Sequence, residues 1–223
     1  MLEEKKKNKI INTESKKRLT LTLGVLLVLI GLILVTSNYI DTKINNAYNN
    51  LNLEILAMNE EVKELDEGEL MEQEVEESEE KVEVKPVINY NYVASLSIPK
   101  INLNRGLVAI DSPYNDINYN IKTLKESNYP NVDKGNFILA AHRGTSSISF
   151  FGRLFQLSLG DKCYVNYNGK TYTYRITDIY DVPKTGYLAI NRDYDKTTLT
   201  LITCKYQSTT EQTVYIAELI NVE

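Results

Sequence analysis

Hydrophobic and polar residues follow three different patterns along the chain, and the first is a long uncharged run at residues 19–40. About 20 apolar residues are enough for a helix to cross a bilayer. The basic residues "KKR" at 16–18 precede the run, which predicts a cytoplasmic tail (1–18), a transmembrane anchor (19–40) and an external remainder. A cleavable signal peptide is the alternative, but the run is long and no small-x-small cleavage site follows it.

The second pattern, at residues 41–86, is dominated by acidic residues. Residues 54–85 contain fourteen Asp or Glu and three Lys. Leu53, Leu56, Val62 and Leu65 have helical spacing, but the sequence then becomes "MEQEVEESEEKVEVKP". Such a charge run predicts a solvated stalk that is partly disordered. A coiled-coil dimer is the alternative, although the heptads are few.

The third pattern covers residues 87–223 and consists of short β-type runs separated by turn signals. Strands are predicted at 92–99, 105–110, 135–142, 197–204 and 213–222, and a hairpin around "NG" at 160–182. Residues 112–127 and 149–157 each suit a short helix or helical turn. Many short strands with little helix predict an all-β domain, either a sandwich or a small barrel.

Composition narrows the possible functions. The net charge is −5, and the region from residue 86 onward carries fourteen basic and twelve acidic residues, so it has no electrostatic footprint for nucleic acid. The chain has two cysteines and one histidine, which excludes a Cys/His zinc cluster and a disulfide scaffold. Cys163 lies within an alternating strand pattern, so we expect it in the core.

Cys204 and His142 occupy similar positions in the pattern. Each ends an apolar strand, "TTLTLITC" and "GNFILAAH", and each is followed by a polar loop. A side chain at such a junction is held by the strand and exposed by the loop. A lone Cys with a lone His elsewhere in the sequence is the arrangement of a thiol nucleophile and its acid/base partner.

Several segments together resemble the sortases, the cysteine transpeptidases of Gram-positive cell surfaces. The resemblance lies in "TLTLITC" with "VYIAEL", in "NFILAAHRG", in "LSIPKINL" and in "FGRLFQLSLGDKCYV". It covers roughly residues 92–222 and is closest in pattern to the class A/D/E group, because no "DPW"-like lid and no long helix before Cys204 is present.

The resemblance implies an eight-stranded β-barrel and a thioacyl mechanism without a cofactor. Cys204 would attack an LPXTG-like sorting signal of surface proteins or pilins, and a lipid II, peptidoglycan or pilin amine would resolve the intermediate. His142 would protonate the leaving amine and then deprotonate the incoming one. Substrate-binding loops are expected near 111–130 and 178–196.

The sequence departs from the sortase pattern at two positions. Ala141 stands where the family usually has Gly, which matters only if that residue needs a positive φ. Gln212 stands where the family usually has an arginine that binds the sorting signal and stabilises the oxyanion. Gln212 can donate N–H bonds but carries no charge. Lys205, Arg143 or Arg192 is therefore a candidate substitute.

These departures leave three functional hypotheses open. The first is a transpeptidase, the second a catalytically weak sortase-like binding or assembly protein, and the third a hydrolytic cysteine peptidase on the same barrel. Asp178, Asp181, Asp193 and Asp195 lie in candidate calcium-binding loops. Scattered acids are usually only solvated, so no metal site is predicted from them.

Overall fold

The computed structural model describes the backbone of residues 2–65 and 90–223. Side chains are described in these ranges except at 2–20, 37, 38, 41, 45 and 59–65. The chain divides into two compact units, Met1–Ile44 and Asn45–Glu223. The stretch 66–86 of the predicted stalk therefore lies outside the described residues.

A single helix, α1 (Leu2–Leu65), includes all of the first unit that the structure describes. The apolar side chains between Leu21 and Val35 are exposed; Leu21 is 70% and Val35 69% accessible. Within the part of the chain that the structure describes, none of the helices is both long enough and apolar enough for a membrane span.

The second unit contains eight strands, and their positions confirm the predicted all-β domain. The strands are β1 (Tyr92–Ile98), β2 (Leu103–Val108), β3 (Lys122–Thr123), β4 (Asn136–Ala140), β5 (Lys162–Tyr167), β6 (Lys170–Pro183), β7 (Thr198–Cys204) and β8 (Glu211–Val222). Two short 3₁₀ helices, Pro99–Ile101 and Leu154–Gln156, interrupt them.

The eight strands form one sheet in the order β2-β1-β5-β6-β8-β7-β4-β3. The sheet curls into a nearly closed barrel, because the edge strands β2 and β3 come into contact. All pairs are antiparallel except β4 and β7, which run parallel. The predicted hairpin is β5–β6, with Asn168 and Gly169 in the turn, both at positive φ.

The barrel interior explains the alternating and continuous apolar runs. In β5 only Cys163 and Val165 are buried, which is the alternation of a strand with one face on the core. In β7 every residue before Cys204 is buried, because both faces are covered. Its threonines are satisfied there: Thr198 and Thr200 donate to Asn136 Oδ1 at 3.0 and 2.8 Å.

The short helix predicted within 112–127 is wrong. Asparagine side chains take over backbone hydrogen bonds there, which stabilises turns and a short strand instead of helix. Asn115 Nδ2 donates to the carbonyls of Ile110 and Thr123, and its Oδ1 accepts the Thr123 amide. The later segment 149–157 does contain the expected helical turn, at Leu154–Gln156.

The last part of α1 packs against the barrel within the second unit. Asn49 Nδ2 donates to the Asn104 carbonyl, and the Gly106 amide donates to Asn49 Oδ1, both at 3.1 Å. The Tyr90 amide donates to Asn52 Oδ1. Backbone groups on the outer side of edge strand β2 are thereby paired with side chains of the helix.

Candidate active site

The parallel pair β4–β7 brings His142 and Cys204 to the same edge of the barrel. Ala140 pairs with Ile202, and each reactive residue follows two positions later. Hydrogen bonds continue past the ladder: the Ala141 amide donates to the Ile202 carbonyl at 3.3 Å, and Thr203 Oγ1 donates to the Ala141 carbonyl at 3.0 Å. The two strand ends are therefore held side by side.

The two cysteines lie in opposite environments. Cys204 is half-exposed at the end of β7, whereas Cys163 is fully buried in the core. Burial raises the pKa of the Cys163 thiol to about 12, so that thiol stays protonated and inert. Both cysteines are free, and Cys163 is in the core as expected.

His142 is linked to a carboxylate through Asn118. Asn118 Nδ2 donates to Asp116 Oδ1 at 2.8 Å, so its Oδ1 faces His142 Nε2, 3.4 Å away. An amide oxygen only accepts, so this contact is a hydrogen bond when His142 carries a proton on Nε2. The Asn118 backbone amide also bonds Asp116 and lowers the pKa of its carboxyl group.

Gln212 lies directly opposite Cys204 in the β7–β8 ladder. Side chains of directly opposed residues in an antiparallel pair are on the same face of the sheet, about 4.5–5.5 Å apart at Cβ. Gln212 also pairs with Val182 of β6 on its other side. The position expected for the family's arginine is therefore beside the cysteine, and an amide occupies it.

Lys184 places a cation close to the thiol, and no sequence pattern had pointed to this residue. Its Nζ lies 3.9 Å from Cys204 Sγ. It follows Pro183, the last residue of β6, and its backbone amide donates to the Thr210 carbonyl at 2.8 Å. In the sheet a single strand, β8, lies between β6 and β7, so the long Lys184 side chain just past the end of β6 can reach Cys204 at the end of β7.

The three basic residues considered from the sequence have other partners. Lys205 Nζ bonds Glu211 at 2.9 Å and Asp181 at 3.1 Å, and these carboxylates raise its pKa. Arg143 donates to the Lys205 carbonyl at 3.0 Å. Its guanidinium lies over the Tyr206 ring, 4.2 Å from the centroid. Arg143 thus holds the β7–β8 loop.

Arg192 lies at the opposite end of β7. It donates to Thr198 Oγ1 at 3.3 Å and to the carbonyls of Lys134 and Lys196. Thr198 and Cys204 are six positions apart, which is about 20 Å along a strand. Arg192 therefore braces loops far from the thiol.

Two further sequence questions have structural answers. Ala141 does not have a positive φ, so the missing glycine imposes no backbone strain. The loop predicted at Asp178 and Asp181 is wrong, because both residues lie in β6, whose pairing with β8 extends to Pro183. Asp181 bonds Thr213 and Lys205, and Asp195 bonds Lys134. Within the described ranges, no cluster of three or more His, Cys, Asp or Glu side chains could hold a metal ion.

Comparison with known proteins decides the family. The family profile of the Sortase domain matches residues 96–220, more than half of the chain. The chain belongs to the sortase family. Members of this family are cysteine transpeptidases, and the segments that carried the resemblance lie within the matched range.

Curated and solved sortases agree with this assignment. Sortase A of Listeria monocytogenes is 28% identical over 144 residues, covering 63% of each chain. Its crystal structure matches with a TM-score of 0.50 and 26% identity, over 59% of this chain and 89% of that one. A Clostridium perfringens Sortase D5 transpeptidase shares the fold, with a TM-score of 0.50, 24% identity and coverage of 59% and 80%. This sortase spans about half to two thirds of the length of the curated relatives it matches.

Proposed function

We propose that this sortase is a thiol transpeptidase acting on LPXTG-like sorting signals, with Cys204 as nucleophile and His142 as acid and base. The observation that supports the proposal is the parallel β4–β7 pair, because the strands that lead to the single histidine and to the partly exposed cysteine end at the same edge of the barrel. Such an end of a rigid scaffold is where a nucleophile and its acid/base partner are expected.

The proposed reaction has two acyl-transfer steps. His142 accepts the thiol proton of Cys204, and Sγ attacks the threonine carbonyl of the sorting signal. The C–N bond to the next residue then breaks as His142 passes that proton to the leaving amine. The acyl group is then held as a thioester on Cys204. An incoming amine of peptidoglycan, lipid II or a pilin loses its proton to His142, attacks the thioester and releases the thiol.

Gln212 has a supporting part in this proposal. Its amide N–H groups can donate to the carbonyl oxygen as negative charge develops there, because it sits beside Cys204 on the same face. A neutral amide stabilises an oxyanion less than a guanidinium does. The same observation supports a second candidate function, a sortase-like binding or assembly protein with little turnover.

Product analysis of the full chain in detergent separates these functions. It is incubated with a panel of LPXTG-like peptides, with and without triglycine. A transpeptidase gives the amine-exchanged product in the presence of triglycine. A hydrolase gives the free acid in both cases. Peptide binding without either product supports the assembly protein, and Cys204→Ala must abolish every product.

We also propose that residues 19–40 anchor the protein in the cell membrane with the barrel on the outer side. The support is the uncharged run after the basic residues 16–18. Alkaline carbonate extraction of expressing cells tests the anchor: an anchored chain stays in the membrane pellet, and release of the full-length chain would contradict the proposal. External protease should digest the barrel on intact protoplasts.

A further inference from the structure

We propose that Lys184 is a catalytic residue of this sortase and supplies the positive charge at Cys204 that Gln212 lacks. This inference rests on the proposed function, because it assigns a role within the same acyl-transfer reaction. It is carried by a contact between two residues that are twenty positions apart: Lys184 Nζ lies 3.9 Å from Cys204 Sγ.

The backbone around Lys184 holds it at the thiol. Pro183 fixes its own φ and ends β6, and the Lys184 amide is bonded to the Thr210 carbonyl of the β7–β8 loop. Thr185 and the positive-φ Gly186 then turn the chain away. The base of the Lys184 side chain is therefore pinned, while its flexible stem lets the ammonium follow the charge on the reacting atoms.

Lys184 is also the basic residue whose charge can act on the reacting atoms at Cys204. Lys205 is engaged by two carboxylates, Arg143 holds a loop carbonyl and Arg192 lies at the far end of β7. A cation within about 4 Å of a reacting sulfur stabilises the thiolate and the anion formed when it adds to a carbonyl. The charge of the family's arginine would thus come from the residue that follows β6 instead of from β8.

The decisive test is a charge-swap rescue. Lys184→Gln should lower the rate of thioacyl formation from an LPXTG-like peptide about ten- to hundredfold, a little less than the loss of one oxyanion donor in proteases. Gln212→Arg in that background should restore at least tenfold, and Lys184→Arg should retain most of the rate. Lys162→Gln, an exposed lysine on β5, is the matched control. Wild-type rates in Lys184→Gln would overturn the proposal.

A second measurement reads the local charge without any turnover. Alkylation of Cys204 by anionic iodoacetate is compared with that by neutral iodoacetamide, and peptide mapping separates Cys204 from buried Cys163. Lys184→Gln should lower the iodoacetate-to-iodoacetamide rate ratio several-fold, and added salt should lower it in the wild type. An unchanged ratio contradicts the role of Lys184, even if the wild-type protein proves to have no transpeptidase activity.

A different observation points to a second site, next to His142. A cavity of about 100 Å³ is lined by Tyr48 of α1, by Arg105 and Phe150, and by Asn118, Tyr119 and Asn120. Asn118 is shared between the two sites, because its Oδ1 faces His142 Nε2. The cavity therefore adjoins the candidate active site on the side of His142, the residue that the proposed mechanism uses to deprotonate the incoming amine.

Two side chains of this cavity present hydrogen-bond donors. Asn120 is 3% exposed, its Oδ1 accepts the Ile121 amide, and its Nδ2 has no close hydrogen-bond partner among the described residues. Burial raises the pKa of the neighbouring Tyr92 phenol, and the Asn120 side chain, as a weak donor to that phenol, opposes the rise slightly. Arg105 adds a positive charge; its guanidinium donates to Asn46 Oδ1 at 2.7 Å and lies over the Phe150 ring, 4.6 Å from the centroid.

We infer that this cavity binds a carboxylate of the amine substrate. This carboxylate lies at the end of that molecule opposite to the amine that attacks the thioester. A buried amide donor and a guanidinium match the acceptor-only oxygens of a carboxylate. The aromatic walls would pack against the adjoining carbon chain. The inference rests on the proposed function, since it assigns one part of the second substrate.

Two acceptors that differ in one group test this inference. Triglycine and triglycinamide have the same attacking amine, but only triglycine has a carboxylate. The wild-type enzyme should favour triglycine about tenfold in the ratio of transfer to hydrolysis. The isosteric Asn120→Asp keeps the bond to Ile121 and places an oxygen in the cavity, so it should abolish the preference; Arg105→Gln is the second variant.

The outcomes separate the inference from the function. Equal use of both acceptors by the wild-type enzyme would overturn the carboxylate site while leaving the transpeptidase in place. Failure to form any thioacyl enzyme, measured without an acceptor, would instead contradict the proposed function. Thermal unfolding of each variant identifies a loss of preference that comes only from a loss of fold.

Discussion

At the scale of single residues, the two cysteines show how position decides chemistry. Both lie in β-strands, yet Cys163 is buried near the start of β5 and Cys204 is partly exposed at the end of β7. The alternation around Cys163 and the polar loop after Cys204 allowed both environments to be predicted. Lys184 could not be predicted, because its contact with Cys204 depends on which strand lies between β6 and β7.

Substitution of the cysteines should separate stability from activity. Cys163→Ala leaves a small void in the core and should lower the free energy of unfolding by about 1–2 kcal/mol without loss of thioacyl formation. Cys204→Ala should abolish thioacyl formation and leave the unfolding midpoint nearly unchanged. Urea unfolding and intact mass spectrometry measure the two effects. An inactive but folded Cys163→Ala would contradict this division of roles.

Asn118 should act by orienting His142. Asn118→Ala removes the link from Asp116 to the imidazole and should slow thioacyl formation about tenfold, a fraction of the roughly 10²–10⁴ that general acid–base catalysis supplies. The rate is measured without an acceptor, so that the neighbouring cavity does not contribute. Tyr119→Ala, at the adjacent exposed position, is the control. A wild-type rate in Asn118→Ala would show that the imidazole needs no such support.

At the scale of elements, the reactive edge was predictable and the surrounding segments were only partly so. The apolar runs "FILA" and "TLTLIT" predicted core strands ending at His142 and Cys204, and the parallel pairing of these strands aligns the two ends. The sequence of residues 112–127 suits a short helix, but the Asn115 side chain forms hydrogen bonds with backbone groups there and stabilises turns instead. The packing of α1 on β2 also escaped prediction, because it depends on asparagines in a weakly periodic, acidic stretch.

Asn49 should be the main attachment of α1 to the barrel. Asn49→Ala leaves the Asn104 carbonyl and the Gly106 amide without their partner, and an unsatisfied buried polar group costs about 1–3 kcal/mol. We expect lower stability and faster hydrogen exchange at the Gly106 amide. Asn50→Ala, exposed on the same helix, is the matched control. Equal exchange at Gly106 in the two variants would contradict the attachment.

At the scale of the whole molecule, the buried titratable groups predict a loss of stability at alkaline pH. Burial raises the pKa of the Cys163 thiol from 9.0, and of the Tyr92 and Tyr215 phenols from 10.0, each to about 12. The folded state thus holds these protons more tightly than the unfolded state. Their contribution is complete below about pH 9 and is lost as the pH rises toward about 12.

The alkaline loss can be assigned with one pair of variants. Tyr215→Phe removes a titrating phenol from the core and should lose less stability than the wild type between pH 8 and pH 11. Tyr187→Phe, at a position that is 92% exposed, should follow the wild-type curve. Urea unfolding at four pH values measures the difference. Identical pH dependence in Tyr215→Phe and Tyr187→Phe would contradict the contribution of burial.

The central claim is that the barrel holds Cys204 as an acyl-carrying nucleophile activated by His142. Its most direct test is the intact mass of the full chain after rapid mixing with an LPXTG-like peptide and acid quenching. The account predicts an adduct of the peptide's acyl part, mapped to Cys204, absent in Cys204→Ala, strongly reduced in His142→Ala and retained in Cys163→Ala. An adduct that maps elsewhere, or turnover that persists in Cys204→Ala, would contradict it.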